Sequence, residues 1–167
     1  LMDPVLDDLL GPHRFFLRRD ALAAGSTDDA LRSWRRAGLL RRVRHGAYTS
    51  PEHWRSMDGN GRHLLRARCA VRSARAQVVL SHTTAALMHG APVWGLPLDD
   101  VHLTRADGLS GRREAGVRQH RAPLTGDDVV EIDGVTVTTP ARTCVDVTTI
   151  AGVEVAHDRH ARRGLHD

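Results

Sequence analysis

Apolar residues recur along this chain first at a helical period and later at a strand period. Residues 5–10 suit a short helix, stopped by Gly11 and Pro12. Residues 16–24 read as a second helix, with Gly25 just past its end. Ser26 follows as an N-cap, and Asp28 and Asp29 suit the positive end of the next helix dipole. Ala30, Leu31, Trp34 and Ala37 then share one face at the 3.6-residue period, and Gly38 ends that helix. Its opposite face carries Arg32, Arg35 and Arg36. The pattern is helix, tight glycine turn, helix, with the second helix apolar on one side and cationic on the other.

The period then changes. Residues 39–43 and 47–49 read as two strands around a turn at 44–46, where Gly46 can take a positive φ. Pro51 stops the second strand. Arg41, Arg42, Arg44 and His45 surround the tip. Residues 55–61 read as a linker. A helix starts near Arg62, with Leu64, Ala67, Val71 and Ala74 on one face and Arg68, Arg72 and Arg75 as a basic ridge beside them. Residues 78–80 suit a short buried strand, and Ser81 caps a helix over 82–89 that Gly90 and Pro92 stop. Residues 101–104 and 117–120 are strands separated by a polar loop. Residues 129–132 and 135–138 flank Asp133-Gly134, a strong hairpin signal. Thr139 and Pro140 open a helix running to about Thr149, with Arg142 and Asp146 as a structural pair one turn apart. A last helical stretch covers 153–163. The fold expected is α+β: a winged helix-turn-helix over residues 1–54, then a mixed helix/strand domain over residues 62–167.

Charge gives the first half a direction. All 24 basic residues are arginine. Fifteen of them fall between Arg14 and Arg75, against five acids, a surplus of ten positive charges; outside that stretch nine arginines face fifteen acids. Such asymmetry points to a polyanionic partner for the front half. A solvated basic surface has the same composition, so the placement of the arginines matters more than their number. Three of them outward on the helix after a glycine turn have the layout of a recognition helix, and those at the strand tip suit a wing along the phosphates. An ordinary surface helix with Asp28 and Arg32 paired would show the same period. Arg18 and Arg19, on the helix before, join the candidate DNA contacts. Aromatic residues make up only 4 % of the chain, so its core rests mainly on Leu, Val and Ala. Cys69 and Cys144 are widely separated and read as reduced thiols. No apolar run reaches the length of a membrane span, and the N-terminus does not read as a signal peptide. A cytoplasmic protein is expected.

The blocks Phe16-Leu17-Arg18-Arg19-Asp20-Ala21-Leu22-Ala23-Ala24-Gly25, Ala30-Leu31, Gly38-Leu39 and Arg41-Arg42-Val43-Arg44-His45-Gly46-Ala47-Tyr48 resemble the N-terminal winged helix-turn-helix of AbiEi-type antitoxins. The stretches Leu80-Ser81-His82-Thr83-Thr84-Ala85-Ala86-Leu87-Met88-His89-Gly90 and Thr138-Thr139-Pro140-Ala141-Arg142-Thr143-Cys144-Val145-Asp146 are similar to segments that follow it in the actinobacterial branch. The resemblance implies a DNA-binding repressor of its own operon that opposes a nucleotidyltransferase-like toxin without a stable complex. It places DNA contacts on Arg32, Arg35 and Arg36, with Arg41, Arg42, Arg44 and His45 in the wing. The expected partners are double-stranded operator DNA, that toxin, and a second copy of the chain on DNA. Many relatives continue into a domain resembling a very-short-patch-repair endonuclease, and this chain stops about where that domain would begin.

No catalytic residue, cofactor or metal ligand is assigned. His157 and His160, with His166, lack the cysteines and convergent ligation of a zinc site. His82 and His89 lie seven apart on one short helix without a nucleophile or carboxylate pair. The competing readings are a nuclease remnant, for which Asp146, Glu154 and Asp158 follow Gly134, a stand-alone regulator without a toxin, and a protein-docking module.

Overall fold

The computed structural model describes residues 4–109 and 111–150. The chain forms two compact units, Leu1–Arg75 and Ala76–Asp167, and both mix helices with β-sheet. The expected last helix, with His157 and His160, and His166 after it lie outside the described residues.

In the first unit, α1 (Pro4–Leu10) leads into β1 (Phe15–Leu17), α2 (Arg18–Ala23), α3 (Asp28–Arg36), the hairpin β2 (Arg41–Arg44) and β3 (Ala47–Thr49), then α4 (Pro51–Ser56) and α5 (Gly59–Ser73). The strands form an antiparallel sheet in the order β1-β3-β2. Helix α2 is shorter than the sequence suggests, because residues 15–17 are extended. Pairing of Phe16 with Tyr48 across β1 and β3 puts the two rings 5.7 Å apart, while Phe15 and Leu17 point to the other face of the sheet. The Asp20 carboxylate then accepts the Leu17 N–H at 2.8 Å and starts the helix.

Helix α2 ends where expected. Gly25 takes φ +84°, Ser26 N–H donates to the Ala21 carbonyl at 2.9 Å, and Gly25 N–H donates to that of Leu22 at 3.1 Å. These two bonds satisfy carbonyls the helix end leaves open, and the left-handed glycine permits them. The N-cap of α3 is Thr27 rather than Ser26: its hydroxyl accepts the Ala30 N–H at 3.2 Å. Ser26 is consumed in closing the preceding helix.

Two apolar layers sandwich the sheet. Leu6, Leu10, Phe16, Ala21, Leu31, Leu40 and Tyr48 fill the α1–α3 side, and Phe15, Leu17, Ala47, Trp54, Leu65 and Cys69 fill the other. Each fully buried Leu or Phe contributes about 1.5–3 kcal/mol of transfer free energy. The second layer corrects the domain boundary. Residues 55–61 are not an open linker: Ser50 and Asp58 cap α4 and α5 through His53 N–H (3.1 Å) and Gly61 N–H (2.8 Å). Helix α5 packs by Leu65 and Cys69 on Phe15 and Leu17, so it belongs to the first unit. Its buried residues are His63, Leu65, Ala67, Cys69 and Ala70, whereas Leu64, Val71 and Ala74 are half-buried. On the expected ridge, Arg72 is tied to Asp20 at 2.8 Å.

The second unit contains β4 (Val78–Leu80), α6 (His82–Met88), β5 (Val101–Arg105), β6 (Arg113–Glu114), β7 (Val117–Arg121), β8 (Val129–Ile132) and β9 (Val135–Thr138), followed by helix α7 over 140–150. Its sheet runs β6-β7-β5-β4-β9-β8, with β4/β9 and β5/β7 parallel and the remaining neighbours antiparallel. Strand β6 falls in the loop read as unstructured; two residues are too few for a periodic signal. The β8–β9 hairpin has the expected register, Ile132 opposite Val135, around Asp133 and Gly134 at φ +49° and +76°. Arg142 reaches Asp146 at 2.9 Å and the Pro123 carbonyl at 3.1 Å, fixing α7 to the segment before β8.

Candidate nucleic-acid interface

Helix α3 presents its cations as the wheel predicts. Leu31 is buried, Ala30 and Trp34 are half-buried, and Arg32, Arg35 and Arg36 are exposed. Ala37 departs from the apolar face; it is exposed at the helix end. The cationic face lines a concave surface with the β2–β3 hairpin. One part is bordered by Arg18, Asp28, Arg32, Arg35, Arg42 and His45, and the adjoining part by Arg32, Arg35, Arg36, Leu40 and Arg42. Among the described residues, no ion pair or side-chain hydrogen bond claims Arg35, Arg36 or Arg42. Three guanidinium groups therefore face one concavity without an internal counter-ion, which is what an external anion would meet.

The remaining candidates divide. Arg32 pairs with Asp29 one turn back, not with Asp28. Asp28 is instead held by Arg18, Nε to Oδ1 at 2.7 Å and Nη2 to Oδ2 at 2.6 Å. This two-bond fork raises the Arg18 pKa and lowers that of Asp28, the side-chain hydrogen bonds being the leading cause in both. Arg19 donates to the Arg72 carbonyl at 2.5 Å, away from the concavity.

The hairpin arginines split between the two faces of the sheet. Arg42 pairs with Tyr48 and faces α3; Arg41 faces the other way and lies 4.6 Å above the Trp54 ring, beside Arg62 and Arg66 at 5.4 Å. The register shifts between Arg42 and Arg44. Arg44 consequently sits opposite Ala47 on the α5 side, where its charge is felt by buried Cys69. Period-2 alternation carries this division in the sequence; the bulge does not show there. His45 and Gly46 form the turn itself, with Gly46 at φ +69° and its carbonyl accepting the Arg18 N–H at 2.8 Å.

The second unit holds a group that the sequence does not assemble. Spacing along α6 sets His82 beside His89, but His89 bonds the Thr138 carbonyl at 2.7 Å. His82 instead gathers with His102 of β5 and His120 of β7. The signal available is a histidine on each of two neighbouring strands, and only the strand pairing makes them neighbours in space. Burial is the main cause that lowers His82 to about 3 and His120 to about 4.

Residues 5–51 match the model of a family described as "Transcriptional regulator, AbiEi antitoxin". The match runs from the second residue of α1 to the first of α4, and so spans α3, the hairpin and the concavity between them. No curated protein matches the chain. No described helix is long and apolar enough to cross a membrane.

Proposed function

We propose that the first unit is a winged helix-turn-helix that binds double-stranded DNA and that the chain is a transcriptional repressor acting as the antitoxin of a type IV pair. The observation that carries this reading is the concavity in which Arg35, Arg36 and Arg42 face outward without a partner among the described residues. Helix α3 enters the major groove, with Arg32, Arg35 and Arg36 toward base edges, where an arginine can address guanine through two hydrogen bonds. Arg42 and His45 follow the adjacent phosphates from the short β2–β3 wing. Arg18 positions α3 through Asp28. Arg41 and Arg44 act from the opposite sheet face and serve the packing of the unit more than the contact with DNA. The family matched over residues 5–51 supports the regulator and antitoxin parts of this reading.

The chain acts on its own operon, and its toxin is a nucleotidyltransferase-like protein held in check without a stable complex. The first test is binding to the DNA immediately upstream of its own reading frame, measured by gel shift against scrambled duplexes. Specific retardation supports the repressor reading; equal retardation of every duplex contradicts it. Co-expression with the product of a neighbouring nucleotidyltransferase-like reading frame tests the antitoxin part separately, since loss of protection need not accompany loss of DNA binding.

A further inference from the structure

We propose that His82, His102 and His120 form a three-histidine site for a divalent transition-metal ion, Zn²⁺ foremost. The three side chains come from separate elements: His82 opens α6, His102 is in β5 and His120 is in β7. In the parallel β5/β7 pair, Thr104 lies opposite His120, so His102 and His120 stand two residues apart on the same sheet face. One ring nitrogen from each of the three lies within 4.8 Å of the others. His82 and His102 are 5 % and 3 % exposed.

His102 Nδ1 and His120 Nε2 already face each other at 2.9 Å, sharing one proton. A tetrahedral zinc ion, at about 2.0–2.1 Å from each nitrogen, would hold them roughly 3.3–3.4 Å apart. Opening the pair by about half an ångström admits the ion. The ring that donates the shared proton moves it to its other nitrogen, so both facing lone pairs go to the metal and charge is conserved. His82 now stacks on His120 with ring centroids 3.7 Å apart, and its Nδ1 meets the Ser81 hydroxyl at 2.9 Å. In the metal-bound form that Nδ1–H donates to Ser81, leaving Nε2 as the third ligand after a rotation of the ring. Ser81 is itself fixed by the Thr104 hydroxyl, which donates to it at 2.7 Å. Hydrogen bonding of the non-ligating nitrogen is how metal-binding histidines are commonly oriented.

Two further observations agree. His82 holds φ +54°, a left-handed backbone that a residue with a side chain rarely adopts, and such conformations concentrate where a side chain must be aimed. A small cleft, bordered by Asp99, Asp100, Arg113 and Arg118, reaches His102 from the surface. Arg113 and Arg118 oppose a cation there; Asp100 is paired with Arg113 at 2.6 Å, and Asp99 offsets Arg118. All-nitrogen ligation by imidazole suits zinc, copper and nickel over magnesium or calcium.

The test uses the full chain, free of any histidine tag and stripped with a chelator, titrated with Zn²⁺ by calorimetry and with Co²⁺ by visible absorption. One equivalent bound per chain, the strong d–d bands of tetrahedral Co²⁺, and a Zn²⁺-dependent rise in Tm are expected. His120→Asn, at a half-buried position, and His102→Gln should each weaken binding at least tenfold and abolish the Tm rise. Near-UV circular dichroism establishes that a variant is folded. A variant with His157, His160 and His166 all changed to Asn should bind like the wild type. No stoichiometric binding by the wild type overturns the site. So does binding that survives in a folded His120→Asn or His102→Gln chain, or that disappears with the three C-terminal substitutions.

Discussion

Arg18 and Asp28, the first residues of α2 and α3, are joined by a two-bond fork of 2.6 and 2.7 Å across the turn that separates the helices. The fork withholds one cation from the rim of the concavity and places one carboxylate there. Asp28→Asn should release Arg18 and remove a charge that repels phosphate. Binding to operator and non-operator duplexes should both tighten at low salt, and the log–log salt slope should steepen by about one unit. An unchanged slope, measured by anisotropy from low to moderate salt, would show that Arg18 does not reach the DNA when freed.

Arg41 and Arg42 are adjacent in sequence and lie on opposite faces of the sheet. Arg42→Ala should weaken binding to all sequences and flatten the salt slope by about one unit. Arg41→Ala should leave affinity within about twofold while lowering stability by about 0.5–1 kcal/mol, the scale of an exposed cation–π contact on Trp54. Equal reductions of affinity in the two variants would contradict the division of the hairpin between two sheet faces.

Much of this fold is legible in the residues. Glycine stops and apolar periods locate α1, α3, the β2–β3 hairpin, α6 and the β8–β9 hairpin, because in those segments local propensity and final packing agree. They disagree at Phe16 and Leu17, which beside good helix formers read as the start of a helix but are drawn into the sheet by pairing with Tyr48 and Ala47. They disagree again at Gly59-Asn60-Gly61, a linker by composition that becomes the first turn of α5 once Asp58 caps it. The cationic face of α3 follows from spacing alone. The withdrawal of Arg18 by Asp28, the turning of Arg44 to the α5 side, and the gathering of three histidines depend on partners 10 to 38 positions apart or on a strand bulge, which periodicity does not encode.

The two thiols should differ sharply. Cys69 is fully buried between α5 and the sheet, and burial pushes its pKa up to about 12, whereas Cys144 is exposed on α7. A disulfide reagent near pH 8 should modify one thiol quickly, with peptide mapping locating it at Cys144, and the second only on unfolding. Fast modification of Cys69 in the native chain would contradict its placement under α5.

Acid should destabilise the second unit in metal-free protein. His82 and His120 fall from the ordinary value of 6.5 to about 3 and about 4 in the folded state, so below about pH 6.5 the unfolded chain takes up protons that the folded chain refuses. Stability contributed by the neutral rings is full above pH 6.5 and declines as pH drops toward 4, by up to about 1.4 kcal/mol per pH unit for each ring. Urea midpoints at several pH values, with chelator present, should fall over that window. The dependence should weaken in His120→Asn; a flat profile would show that the rings are not buried neutral.

The proposed reading of DNA by α3 rests on Arg32, Arg35 and Arg36. The most direct measurement is fluorescence anisotropy of the full chain on the duplex upstream of its own reading frame and on a scrambled duplex, for the wild type and for a variant with all three arginines changed to Ala. Removing a bidentate arginine–guanine pair should cost about 1–3 kcal/mol and relax specificity at that base. The variant, still folded by circular dichroism, should bind both duplexes weakly and about equally. A variant that keeps the preference and affinity of the wild type would contradict that reading.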